Sequence, residues 1–172
     1  KTTLSRALCA RGASLSAIQG RAAVEATEVR LKGASGWYGD LRHFGDEFAR
    51  LGAHDRAWRV YNQAAEAAVK DGQSPHSVRQ AMAKMLLEEG RPDGAVEMLI
   101  VGISEVQKIK GKVPKNLLTD LRKALRAAGF NLRAEQFRSL ADEIADVCKI
   151  KGRRQALKLY QAKRAELKAL GE

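Results

Sequence analysis

The chain has 172 residues, 45% of them hydrophobic and 30% charged, which is ordinary for a soluble globular domain with a sizeable core. It has only two cysteines, Cys9 and Cys148, so neither a disulfide framework nor a Cys-His metal cluster is expected. No apolar run reaches the roughly 18 residues of a membrane span. The formal net charge is +11.

Residues 1–36 are predicted to form a basic helical arm that precedes a main domain at residues 37–172. Residues 1–24 contain four basic and no acidic residues, a composition typical of an organelle transit peptide. They are either a retained targeting peptide or a mature basic helix beyond a cleavage point. Both interpretations favour a mitochondrial or chloroplast protein, soluble or peripheral, and a cytosolic basic helix is the alternative.

Good helix formers dominate the sequence, and no stretch alternates with a period of two, so the chain should be nearly all helix. Pro75 and Pro114 each mark a helix start, because proline is tolerated in a first turn but not in a helix interior. Trp58 and Tyr61 are expected to pack between helices, and residues 95–106 to form a buried helix. The predicted helices span residues 3–11, 14–32, 38–52, 54–71, 75–90, 92–110, 114–129, 131–149 and 152–170, with a flexible joint at 33–36.

An internal repeat runs through this series of helices. Four times a glycine is followed five residues later by an alanine, and large apolar residues stand eight and four positions before each glycine. This pattern predicts helix-turn-helix units in which glycine ends a first helix and alanine lets the second helix approach closely. The first copy is the weakest match and is either a cap or a coincidence. The glycine–alanine pairs are Gly12–Ala17, Gly52–Ala57, Gly90–Ala95 and Gly129–Ala134, preceded by Leu4 and Leu8, Phe44 and Phe48, Met82 and Leu86, and Leu121 and Leu125.

The positive charge is concentrated towards the two ends of the chain. Residues 1–36 carry a net +4 and residues 113–172 a net +7, whereas residues 37–112 are balanced. The C-terminal cluster is either a solvated face or a binding surface for an acidic protein, an RNA backbone or an anionic headgroup. The candidate partner-binding residues are Lys149, Lys151, Arg153, Arg154, Lys158, Lys163 and Arg164.

No motif for catalysis, a cofactor or a metal is present. The phosphate-binding glycine loop and the His-Glu-x-x-His pattern are both missing from the sequence. His43, His54 and His76 are not clustered, and each is expected to be a surface or capping residue. The sequence therefore predicts neither catalytic, cofactor-binding nor metal-binding residues, and it favours a protein that is not an enzyme.

The segment from Leu86 to Leu99, read Leu-Leu-Glu-Glu-Gly-Arg-Pro-Asp-Gly-Ala-Val-Glu-Met-Leu, resembles the centre of a tetratricopeptide or pentatricopeptide repeat. The resemblance covers residues 38–148 and implies a short right-handed α-solenoid of three to four units with a basic C-terminal capping helix. The period of 38 to 40 residues exceeds the 34 or 35 of those families, so the second helix of each unit should be longer. Val78 and Leu118 stand near the positions where a base-reading pentatricopeptide repeat carries polar residues.

Together these features predict a non-catalytic scaffold or accessory subunit of a larger organellar complex, such as a ribosome, a respiratory complex or a photosystem. Its expected partners are other protein subunits. The alternative is an organellar RNA-binding protein of the pentatricopeptide type, motivated by the basic ends and the family resemblance.

Overall fold

The computed structural model describes residues 38–169, with side chains described as far as residue 166. The predicted helices at 3–11 and 14–32, the joint at 33–36, the basic arm and the first glycine–alanine pair lie outside the described residues. Within the described part the chain is all helix with no strand, as predicted. The helices are α1 (Tyr38–Arg50), α2 (His54–Lys70), α3 (His76–Glu88), α4 (Pro92–Lys110), α5 (Lys115–Ala127), α6 (Ala134–Ile150) and α7 (Arg153–Ala169).

The seven predicted helices of this region are confirmed to within three residues at each end. Pro75 and Pro114 each directly precede a helix, since they are the N-cap residues of α3 and α5. The second helix of each unit is also the longer of the two. Helices α1, α3 and α5 have 13 residues, whereas α2, α4 and α6 have 17, 19 and 17.

The repeat glycines end their helices in the left-handed conformation that the sequence predicted. Gly52, Gly90 and Gly129 have φ angles of 72°, 71° and 93°. In each turn the residue after the glycine donates its backbone N–H to the carbonyl five positions earlier, on Phe48, Leu86 or Leu125, at 2.8 to 2.9 Å. These bonds form Schellman-type caps, so the same apolar residue packs in the core and accepts the capping bond. Gly72, Gly111 and Gly152 also have positive φ, which places one such glycine in every connection between the described helices.

The alanine of the repeat has different surroundings in the last unit. Ala57 and Ala95 are completely buried, as expected for a small residue between closely packed helices. Ala134 is exposed, so the predicted close approach is wrong for this copy. The physical reason is that α6 packs on α4 and α7 instead of lying along α5 as a hairpin partner. The glycine–alanine spacing therefore specifies the turn in all three units but the hairpin only in the first two.

Helix α4 is the centre of the larger packed region, since α3, α5, α6 and α7 all contact it. The prediction that residues 95–106 form a buried helix is confirmed, because six side chains of this segment have no exposed surface. These side chains are Ala95, Val96, Leu99, Ile100, Ile103 and Val106. Helices α1 and α2 pack mainly on each other and reach the rest through α3.

The helix directions follow from polar contacts between neighbours. Arg79 of α3 pairs with Glu105 of α4 at 2.8 Å, so the start of α3 lies beside the end of α4. Arg164 of α7 pairs with Asp93 at the start of α4, and α7 is therefore antiparallel to α4. Because α6 and α7 are joined by a tight turn, α6 runs parallel to α4. The ends of α2, α4 and α6 and the starts of α3, α5 and α7 consequently lie at one edge of the molecule.

Two buried tyrosines each form a hydrogen bond with a carboxylate of a neighbouring helix. Tyr61 donates its hydroxyl hydrogen bond to Asp46 at 2.8 Å, and Tyr160 donates to Asp93 at 2.8 Å. Burial, reinforced by the adjacent carboxylate, raises the pKa of both phenols. Trp58 is half-buried against the core, so the prediction that Trp58 and Tyr61 pack between helices is confirmed.

Cys148 is a buried free thiol, in agreement with its predicted role as a small core residue. Burial raises its pKa to about 11 from a usual value of 9.0. Stability gained from keeping the thiol neutral is therefore present below pH 9 and is lost as the pH rises towards 11. Cys9 lies outside the described residues.

In a Cys9→Ser background we expect Cys148 of the folded protein to react with a thiol reagent at pH 8 at least about 100-fold more slowly than a free cysteine. The reason is the small thiolate fraction combined with burial of the sulfur. The measurement is the rate of 5,5′-dithiobis(2-nitrobenzoate) labelling, with the urea-unfolded protein as control. Equal rates in the folded and unfolded protein would contradict the buried position.

Candidate binding surfaces

One edge of the molecule carries a dense group of unpaired cations. Residues 108–115 and 149–158 contain nine basic and no acidic residues, and all nine basic side chains are exposed. None of them forms an ion pair with a residue of the described region. We call these two segments the basic edge. They comprise Lys108, Lys110, Lys112 and Lys115 at the α4–α5 turn, and Lys149, Lys151, Arg153, Arg154 and Lys158 at the α6–α7 turn.

The opposite edge is electrically balanced. Its three turns, residues 50–56, 88–93 and 126–135, contain five basic and five acidic residues. Several of these charges are paired: Arg50 contacts Glu47 at 3.0 Å, and Arg91 contacts Glu89 at 3.1 Å. Within residues 38–166 the strong positive field is therefore on one side only, which orients an approaching anionic surface.

The structure brings five of the seven predicted basic residues together on this edge. Lys163 and Arg164 are about 15 Å farther along α7 than Arg153, towards the opposite edge. Lys163 pairs with Glu166 at 3.5 Å, and Arg164 pairs with Asp93 beside the Tyr160 hydroxyl. Arg164 is thus a packing residue that fastens α7 to α4, and Lys163 is not part of the basic edge.

Four lysines of the basic edge were missed at the sequence level: Lys108, Lys110, Lys112 and Lys115. A signal for them exists, because the tetrapeptide Lys-Ile-Lys-Gly occurs twice, at residues 108–111 and 149–152. Each copy ends a second helix with its glycine in the left-handed conformation. The repeated turn therefore places two lysine groups at equivalent positions of successive units.

A groove of about 490 Å³ lies between α6 and the later part of α7. Leu132 and Leu140 supply its apolar surface, and carboxylates stand around it. Ala134 is exposed but does not line this groove. Its remaining lining residues are Glu135, Gln136, Ser139, Glu143, Lys163 and Glu166.

The three histidines lie apart from one another, and only His76 is near Lys110 of the basic edge. His54 contacts Glu89 at 2.5 Å and links α2 to the end of α3, while His43 lies 3.7 Å from Asp46 on its own helix. His76 contacts the Ser74 hydroxyl at 3.2 Å, and its pKa is lowered by burial and by nearby Lys110. Among the described residues there is no group of three or more potential metal ligands.

No helix in residues 38–169 is long and apolar enough to cross a membrane. Comparison of the chain with protein-family models, with curated proteins and with solved structures found no match. The resemblance to tetratricopeptide and pentatricopeptide repeats therefore stays a prediction that rests on the residues of the repeat itself. What the chain can bind has to be argued from its two surfaces.

Proposed function

We propose that this protein is a non-catalytic helical-repeat subunit, a short α-solenoid that holds protein partners together within a larger organellar complex. The observation that carries the proposal is the open groove between α6 and the later part of α7. Its lining comes from Leu132, from α6 and from α7. This open face is available to a helix of another protein.

The chemistry of the groove restricts what can occupy it. Leu132 and Leu140 offer apolar contact, and Glu135 and Glu143 add negative charge at the rim. An amphipathic helix that carries leucine-like residues on one face and lysine or arginine beside them fits this combination. The partner is therefore proposed to be a protein subunit with a basic amphipathic helix.

Glu143→Arg is expected to abolish co-purification of the partner subunit from the native source, because it places a cation on the rim of an acidic groove. Asp142→Arg is the matched control, since Asp142 is an exposed carboxylate of the same helix that does not line the groove. The measurement is mass spectrometry of the tagged full-length protein after nuclease treatment. A wild-type protein that elutes alone, or equal loss in both variants, would contradict the proposal.

RNA binding is the second candidate function, and the basic edge is the observation that favours it. Nine exposed cations attract a phosphate backbone without reading its sequence. Val78 is completely buried and Leu118 is half-buried, so neither side chain is placed to read a base edge. Gel-shift titration should therefore give binding that weakens steeply with salt and does not differ between RNA sequences.

A further inference from the structure

The exposed aliphatic side chains of this protein are not scattered. Within the described residues four large hydrophobic side chains are exposed: Leu51, Val69, Ile109 and Ile150. Three of these, Val69, Ile109 and Ile150, stand at the last or next-to-last position of a second helix. Each precedes a glycine of positive φ by two or three residues. The same position is thus apolar and exposed in all three units.

These three side chains lie on the same edge as the lysines. The ends of α2, α4 and α6 share that edge, and each aliphatic residue is followed directly by a lysine: Lys70, Lys110 or Lys151. Ile150 is the most exposed, at 77%, and Val69 has 55% of its surface exposed. The α4–α5 and α6–α7 turns therefore combine an aliphatic side chain with several ammonium groups, whereas the α2–α3 turn has one lysine beside Asp71.

We infer that this edge is a peripheral membrane-binding surface for a bilayer that contains anionic lipids. Such a bilayer accepts both kinds of side chain at once. Aliphatic tips enter the boundary between headgroups and acyl chains, while lysines remain beside the lipid phosphates. Each of the three turns carries its own exposed aliphatic side chain next to a lysine, so each turn can contact a bilayer surface by itself.

An RNA partner explains the lysines of this edge but not its exposed aliphatic side chains. Phosphate groups satisfy the lysines, but they give no apolar contact to Ile109 and Ile150. Proteins that hold single-stranded RNA place aromatic side chains against the bases. No aromatic residue is among the exposed large hydrophobic side chains of the described region. The combination of cations with aliphatic tips therefore favours a lipid surface over a nucleic acid.

The test is co-sedimentation of the full chain with vesicles of phosphatidylcholine alone and with vesicles of equal parts phosphatidylcholine and phosphatidylglycerol. We expect binding to the anionic vesicles only. Ile109→Ser combined with Ile150→Ser should lower the partition coefficient by about ten-fold, because apolar surface is removed without changing the charge. Lys110→Gln or Lys151→Gln should each lower it by about five-fold.

Leu51→Ser is the matched control, because Leu51 is an exposed aliphatic residue on the opposite edge, and it should leave vesicle binding unchanged. Circular dichroism checks that each variant keeps its helix content. Titration with a structured RNA at the same ionic strength completes the test, and the isoleucine double variant should bind RNA as the wild type does. Equal binding to both vesicle types, or vesicle binding that is insensitive to the two isoleucines, would overturn the inference.

The inference is independent of the proposed subunit function. Glu143→Arg alters the groove and should still bind anionic vesicles, whereas the isoleucine variant should still recover the protein partner. Loss of one property without the other therefore identifies which of the two proposals fails.

Discussion

Replacing Gly45 with alanine is expected to destabilise the protein by about 3 kcal/mol, because the added methyl group would overlap with the ring of Tyr61. Gly45 is a buried residue in the middle of α1, and a Cβ added there would lie only 2.4 Å from two carbons of the Tyr61 ring. The ring cannot move aside easily, since its hydroxyl is held by Asp46. The effect should therefore appear as loss of the packing between α1 and α2.

The measurement is urea-induced unfolding followed by circular dichroism. Gly94→Ala is the matched control, because a methyl group at this helical glycine would meet Leu86 at an ordinary distance of 3.6 Å. Alanine is favoured over glycine in a helix by about 0.8–1.0 kcal/mol, so Gly94→Ala should leave the protein as stable as the wild type or slightly more so. Equal midpoints for the two variants would show that the contact between Gly45 and Tyr61 is not tight.

Leu99→Ala is expected to cost about 2–5 kcal/mol, the range found when a buried leucine leaves a cavity that its surroundings do not fill. Leu99 has no exposed surface and belongs to α4, the helix that four others contact. Because these neighbours hold one another in place, the site has little freedom to collapse around the smaller side chain. The cost should fall in the upper part of the range.

Leu51→Ala serves as the control for Leu99→Ala, since it removes the same atoms from a side chain that is 45% exposed. It should change the free energy of unfolding by less than about 0.5 kcal/mol. A loss smaller than about 1 kcal/mol for Leu99→Ala would mean that α4 is not the rigid centre of the core.

Local rules were sufficient to predict the helices and their turns. Apolar residues four apart identify the buried stripe of each first helix, and Phe48, Leu86 and Leu125 are buried as this rule requires. Glycine ends each first helix because only it adopts positive φ without cost. These signals depend on residues that are close in sequence, so they can be interpreted without knowing which helices meet in space.

The choice of packing partner could not be predicted in the same way. Gly129 and Ala134 have the same spacing as Gly90 and Ala95, yet Ala134 is exposed and Ala95 is completely buried. The difference arises because α6 packs on α4 and α7 and not along α5. The groove between α6 and α7 also depends on this long-range choice and has no local signature.

Only five of the nine basic residues of the basic edge were predicted, because the net charge was summed over blocks of sequence. Lys108, Lys110 and Lys112 fall in a block of sequence whose acidic residues offset them, and the block has a net charge of only +1. These carboxylates do not pair with the three lysines: Glu105 pairs with Arg79, and Glu97 contacts Gln161 on α7. Separation of charge between two edges becomes visible only when the helix directions are known.

The central position of α4 also determines how the protein can open. Helices α1 and α2 can separate from the remainder by breaking their contacts with α3. Helix α4, in contrast, separates only when its contacts with α3, α5, α6 and α7 are all broken. Opening of the α1–α2 pair therefore requires a smaller free energy than unfolding of the whole. Thermal fluctuations will expose one hairpin at this end long before they disturb the helices that carry the basic edge.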